Sequence, residues 1–222
     1  MIIHSKRLIF VHIQKTGGTA VRTALGESPY CPAKHRTARD LRDLYGADVW
    51  NAYFKFAFVR NPWDRLVSWW SMIDAHRTGW NRLIKFRRLN KFQRFVLESA
   101  RTFEEFLENC DLENCDEEIF GSMPTHIYQN QLDYVTDPSG REIVDFIGHF
   151  ETLQQDFDAI AAKVFGGSIL LPQVNKSRHR HYSDYYTPEL AAKVGCRFER
   201  DIKRFGYSFE KSSGAPANLT KQ

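Results

Sequence analysis

The chain has 222 residues, 42% hydrophobic and 26% charged, enough for one domain with a buried core and too apolar for a disordered segment. With 13 glycines and 8 prolines, collagen-like and low-complexity classes are excluded as well. A net charge of +4 and a pI near 8.8 suit an anionic ligand, but are too mild to point to nucleic acid by themselves.

Cys31, Cys110, Cys115 and Cys196 show no CxxC pair and no Cys/His spacing of the kind a tetrahedral zinc site needs, so reduced thiols and no metal are expected. The apolar run at 8–13 is too short for a signal-peptide core or a membrane span, and no longer one follows. The expectation is a soluble, cytoplasmic protein.

In chain order, residues 7–13 form an apolar run without polar alternation apart from His12, as for a strand covered on both faces. It ends at the sequence QKTGGT, 14–19, and a helix is predicted over 20–25 with Gly26 as its stop. The same grammar recurs: a strand over 53–59, then Arg60, then a helix over 63–76 with Asn61 as N-cap and Pro62 at its first position. Two strand-turn-helix units, each carrying a cation at the turn, predict an α/β fold with a central parallel sheet flanked by helices and a ligand at the strand C-termini.

Residues 76–94 carry seven basic side chains and no acid, whereas 104–118 carries eight acids. The basic residues, Arg77, Arg82, Lys85, Arg87, Arg88 and Lys91 among them, either border a site for an anionic acceptor or form a solvated face. Thr102 and Glu105 fit a capping box for a helix through Asn109. Residues 132–135 and 143–147 resemble the arms of a hairpin around a turn at 137–140. Helices are predicted over 151–165 and 188–205, the latter with Thr187 as N-cap and Gly206 as stop, and a disordered tail over 211–222 follows a single domain at 1–210.

The chemistry concentrates in two places. Lys15, Thr16, Gly17, Gly18 and Thr19 follow a buried strand and open a helix, an arrangement in which glycines let backbone N–H groups converge on an anion. The lysine precedes the glycines, unlike the GxxxxGK[ST] loop of nucleoside-triphosphate enzymes, which weakens a kinase reading. Arg60, at the end of the second strand, and Ser68, two helical turns on, could grip one phosphate through a planar fork and a hydroxyl. Alternatively, Arg60 pairs with Asp64 and Ser68 is a small packing residue.

Taken together, FVHIQKTGGT at 10–19 and FAFVRNPWDRLVS at 56–68 resemble the 5′-phosphosulfate loop and the 3′-phosphate motif of sulfotransferases that use 3′-phosphoadenosine 5′-phosphosulfate (PAPS), closest to the carbohydrate sulfotransferases. Supporting matches at 150–153, 171–177 and 186–190 extend the resemblance over most of 7–209, with Gln14 standing where the family usually has proline and Ala20 where serine is frequent. The resemblance implies a P-loop-like three-layer fold and sulfuryl transfer to a carbohydrate-type hydroxyl without a metal. It implies Lys15 at the departing phosphate, Thr16 to Thr19 around the phosphosulfate, Arg60 and Ser68 on the 3′-phosphate, and Lys176 with Ser177 closing over it.

Related carbohydrate sulfotransferases place a catalytic histidine between the two motifs, where this chain has His35, and an imidazole of ordinary pKa, about 6.5, can accept a proton at neutral pH. His12 is the other candidate base, and His126, His179 and His181 are candidates to touch acceptor. The competing functions are a small-molecule kinase and a non-catalytic module that binds 3′-phosphoadenosine nucleotides. A nucleic-acid binder is disfavoured, because the basic stretch lacks a recognition module.

Overall fold

Two uninterrupted apolar runs make the centre of the sheet because every side chain in them can be buried. In the computed structural model, which describes residues 1–28, 34–77, 89–110, 127–172 and 180–211, β2 (Leu8–Val11) and β3 (Phe54–Val59) pair in parallel, with Phe10 opposite Phe56. A short β1 (Ile2–Ile3), not anticipated from the sequence, adds an antiparallel edge, and β4 (Phe146–His149) pairs in parallel with β3. The order β1-β2-β3-β4 is thus a mostly parallel four-stranded sheet.

Strand residues alternate between the faces, so each run fills two cores. Leu8, Phe10, Phe56 and Phe58 pack against α1 (Gly18–Ala24) and α8 (Leu153–Phe165). Ile9, Val11, Ala57 and Val59 pack against α2 (Ala38–Tyr45), α3 (Ala47–Ala52) and α7 (Leu132–Val135). Each fully buried phenylalanine here contributes about 1.5–3 kcal/mol relative to exposure. Helices on both faces give the three-layer α/β architecture.

Beyond the strand ends, α4 (Pro62–Asp74) builds a third core with α5 (Lys91–Ser99), α6 (Phe103–Asn109) and α9 (Pro188–Arg197). Asn61 caps α4 as expected, its Oδ1 accepting from the amides of Trp63 and Asp64. Thr102 caps α6, but the Glu105 carboxylate accepts from the Arg101 amide rather than closing the box on Thr102.

Two expectations are corrected. The hairpin arm at 132–135 is a helical turn, because the Asp201 carboxylate accepts from the amides of Gln131 and Leu132 at 2.8 and 2.9 Å and caps it. The turn at 137–140 forms, with the Gly140 amide on the Asp137 carbonyl, but one antiparallel bridge, Thr136 to Glu142, is all that follows before the chain joins β3 as β4. The long C-terminal helix breaks at Phe198 (φ −103°, ψ 24°), giving α9 and α10 (Glu199–Phe205); Phe198 is fully buried in the third core, and the break turns Asp201 toward Gln131. The tail at 212–222 lies outside the described residues, as do Cys31, Cys115 and the part of the acidic segment at 111–118.

Candidate functional site

The candidate loop hangs from the C-terminal end of β2. Thr16 is fully buried, and its hydroxyl donates to the Ile13 carbonyl at 3.0 Å, which folds the loop back on its own strand. Lys15 and Gly17 both take left-handed backbone conformations, φ 68° and 82°. For Gly17 this is inexpensive; for Lys15 it costs about 1 kcal/mol and must be held by neighbours. A Cβ on Gly18 would stand 2.0 Å from Nε2 of His12, and one on Gly17 would stand 2.5 Å from Cδ2 of Leu153. Close packing on the His12 ring therefore favours glycine at 18, and the left-handed backbone favours it at 17.

Three side chains, one just before α4 and two on it, grip this loop. Arg60, 5% exposed, donates from Nη1 to the Lys15 carbonyl at 3.0 Å and lies 4.0 Å over the Phe150 ring. Arg65, 1% exposed, donates from Nε to the Gln14 carbonyl at 3.2 Å and from Nη1 to the Gln129 carbonyl at 3.2 Å. Trp69 donates from Nε1 to the Gln14 side-chain oxygen at 3.3 Å, so Gln14 is anchored through its side chain as well.

Arg60 also meets the alternative raised for it. Its Nε and Nη2 lie 2.9 and 2.8 Å from the same oxygen of Asp64. Asp64 and Ser68 are four residues apart on α4 and share one of its faces. Ser68 is buried, on α4. Of the five N–H groups of Arg60, these contacts commit three and leave one on each Nη for an oxyanion.

The main chain of Arg60 is fixed independently. The Gln131 side chain accepts from the Arg60 amide at 2.9 Å and donates to the Arg60 carbonyl at 2.8 Å, pairing with it as an adjacent strand would. The next amide, Asn61, donates to Glu151 at 2.7 Å.

Burial first, and the charge of Arg60 second, push the Lys15 ammonium down from 10.5 to about 8. The charge of an anion in the loop would oppose this downward shift, so this lysine is poised to gain from binding one. His12, stacked on Phe10 with centroids 5.2 Å apart, is kept well below its ordinary value by burial and then by His35. The ring centroids of His12 and His35 are 4.6 Å apart, and Nδ1 of His35 lies 3.0 Å from the His12 carbonyl. A carbonyl can only accept, so Nδ1 carries the hydrogen, and in the neutral ring Nε2 carries the lone pair. His35 itself takes a left-handed conformation, φ 66°.

The structure thus brings Lys15, Thr16, Gly17, Gly18, Arg60, His12 and His35 to the ends of β2 and β3, with Thr19 in the first turn of α1 and Ser68 on α4. Lys176, Ser177, His126, His179, Arg82, Lys85, Arg87 and Arg88 lie outside the described residues. Arg77 is committed to structure, its Nε on Asp74 at 2.8 Å and its Nη1 on the Leu97 carbonyl at 2.7 Å. His181 lines, with His149, Glu151, Arg180 and Tyr207, a groove of about 790 Å³ beside Asp64 that includes neither Lys15 nor His35.

Sequence reasoning missed Arg65, Gln131 and Asp201. Arg65 had a signal, a lone cation between the apolar residues of an otherwise buried helix; Gln131 and Asp201 had none, since their partners are distant in sequence. Among the described residues no helix is long and apolar enough to cross a membrane, and no group of three or more metal-ligating side chains occurs. No curated protein and no solved structure matches the chain. The model of the sulfotransferase family matches residues 1–208, a span that takes in every strand and helix described above, and the chain therefore belongs to the sulfotransferase family.

Proposed function

We propose that this sulfotransferase uses PAPS as donor and transfers its sulfuryl group to a hydroxyl of a carbohydrate-type acceptor. The observation that carries this reading is the junction of Lys15 and Arg60: a buried, charge-depressed ammonium in a glycine-lined loop, joined through its own carbonyl to a guanidinium with two N–H groups to spare. The donor set is cationic and hydrogen-bond-rich, which fits a nucleotide bearing a phosphosulfate at one end and a phosphate at the other.

In this reading Thr16, Gly17, Gly18 and Thr19 hold the phosphosulfate, while Arg60 and Ser68, with Lys176 and Ser177, hold the 3′-phosphate. PAPS supplies an activated sulfuryl group. Nε2 of His35 accepts the proton of the acceptor hydroxyl as its oxygen bonds to sulfur. The bond from sulfur to the bridging oxygen breaks, and Lys15 neutralises the charge that gathers on that oxygen, which is stabilisation directed at the transition state. Sulfuryl carries less charge than a terminal phosphoryl group, so the cations of the chain suffice without a metal clamp.

The test is transfer from radiolabelled PAPS to a panel of glycans, with and without a chelator, beside ATP with magnesium. Labelled glycan that persists in chelator supports the reading. Phosphorylated product from ATP, or stoichiometric nucleotide binding without product on any glycan, overturns it in favour of a kinase or a binding module.

A further inference from the structure

We infer that Arg65 is a positioning residue for sulfuryl transfer, holding the backbone on the N-terminal side of Lys15 so that its ammonium is presented to the leaving oxygen. The inference rests on the reading of Lys15 given above and concerns a residue that touches neither donor nor acceptor in it.

The argument begins with the two peptide groups that flank the Cα of Lys15. The first ends in the Gln14 carbonyl, which accepts from Arg65 at 3.2 Å; the second carries the Lys15 carbonyl, which accepts from Arg60 at 3.0 Å. Rotations about the two bonds at this Cα are the soft freedoms of the residue, so pinning both planes fixes both rotations. The conformation so fixed is the left-handed one, φ 68°, which a lysine left to itself abandons. In a trans peptide the N–H points opposite to the C=O. With both carbonyls turned to the arginines, the N–H groups of Lys15 and Thr16 face away from them.

Burying a guanidinium is expensive, and a residue that only filled space would be apolar. Arg65 is 1% exposed yet donates to two main-chain carbonyls, Gln14 and Gln129, with the Asp201 carboxylate as a favourable charge neighbour and Arg60 as an unfavourable one. Trp69, four residues on along the same helix, holds the Gln14 side chain at 3.3 Å. The stretch from Arg60 to Trp69 thus acts as a jig for Gln14 and Lys15.

The deciding experiment is a double-mutant cycle read as kcat for transfer from radiolabelled PAPS to the glycan selected by the panel, with affinity for 3′-phosphoadenosine 5′-phosphate measured in parallel. Arg65→Lys keeps the charge but cannot span both carbonyls. It is expected to lower kcat by roughly 10–100-fold, with nucleotide affinity changed less than about threefold, and to have no further effect in a Lys15→Ala background. Should Arg65→Lys not fold, the pair Arg65→Met with Asp201→Asn removes both buried charges and carries the same cycle. An unchanged kcat, or an equal loss with and without Lys15, overturns the positioning role. If Lys15→Ala alone leaves kcat intact, the assignment of Lys15 fails first, and the role of Arg65 falls with it.

Discussion

Nδ1 of His35 donates to the main-chain carbonyl of His12 at 3.0 Å, and this single bond decides which nitrogen of His35 can act as a base. Replacing His35 with Ala is expected to lower kcat by roughly 10²–10⁴-fold. His35→Asn, whose amide can still donate to the same carbonyl, should be comparably slow if proton transfer is the role. Affinity for 3′-phosphoadenosine 5′-phosphate should survive both changes. Near wild-type turnover in either variant would move the base to His12.

Lys15, pushed down to about 8, gives the nucleotide affinity a definite pH dependence. Below that pH the loop is charged; above it the free protein loses a proton that the bound anion restores. Affinity should therefore weaken as pH rises through 8, with net proton uptake on binding at about pH 9, seen by calorimetry in buffers of different ionisation enthalpy. Stability of the nucleotide-free protein moves the other way: the unfolded chain keeps this proton to about 10.5, so this group's contribution rises with pH between about 8 and 10.5. Lys15→Ala should abolish the proton uptake. Uptake that persists in the variant would assign it to another group.

In the proposed reading, Asp64 and the 3′-phosphate share the guanidinium of Arg60. Arg60→Ala should weaken binding of 3′-phosphorylated nucleotides by about 2–5 kcal/mol and leave adenosine 5′-phosphosulfate, which lacks that phosphate, little affected. Asp64→Asn removes a negative charge beside the phosphate, and affinity should rise severalfold at low ionic strength, with the gain shrinking in salt. An Arg60→Ala variant that still distinguishes the two nucleotides as wild type does would take the 3′-phosphate away from Arg60.

Gly18 and His12 occupy one volume. Gly18→Ala should cost about 1–3 kcal/mol in unfolding free energy, because the new methyl group would stand 2.0 Å from Nε2 of His12. His12→Ala in the same chain should recover part of that loss in a denaturant titration. Equal stability of Gly18→Ala and wild type would mean that the loop tolerates the displacement.

The parts of this fold legible in the sequence are those whose causes are local. The apolar runs leading to Val11 and Val59 read as buried strands, and the caps at Asn61, Thr187 and Gly206 fall where expected. The capping box of Thr37 and Asp40 that starts α2 was equally local and was overlooked. Residues 132–135 misled because their β-prone side chains were outweighed by a carboxylate some seventy positions away, which no window of sequence contains. In the site, residue types at the strand ends revealed Lys15 and Arg60 as candidates, and the family resemblance pointed to His35. Which side of Arg60 remains open to a ligand, and what fixes the peptide ahead of Lys15, depended on Asp64 and Arg65 as folded.

The Gln131 carboxamide that completes the pairing of Arg60 also sets how often this cation can leave its post. Both main-chain groups of Arg60 are engaged at 2.9 and 2.8 Å by a side chain that is itself fully buried and held by Asp201. Strand-end residues ordinarily fray, exchanging their amide hydrogens through small openings that cost little. Here the partner side chain is buried and anchored on Asp201, so the Arg60 amide is expected to exchange more slowly than an ordinary strand end. In the reading proposed above, a donor nucleotide arriving between turnovers then meets a guanidinium whose backbone is already in register.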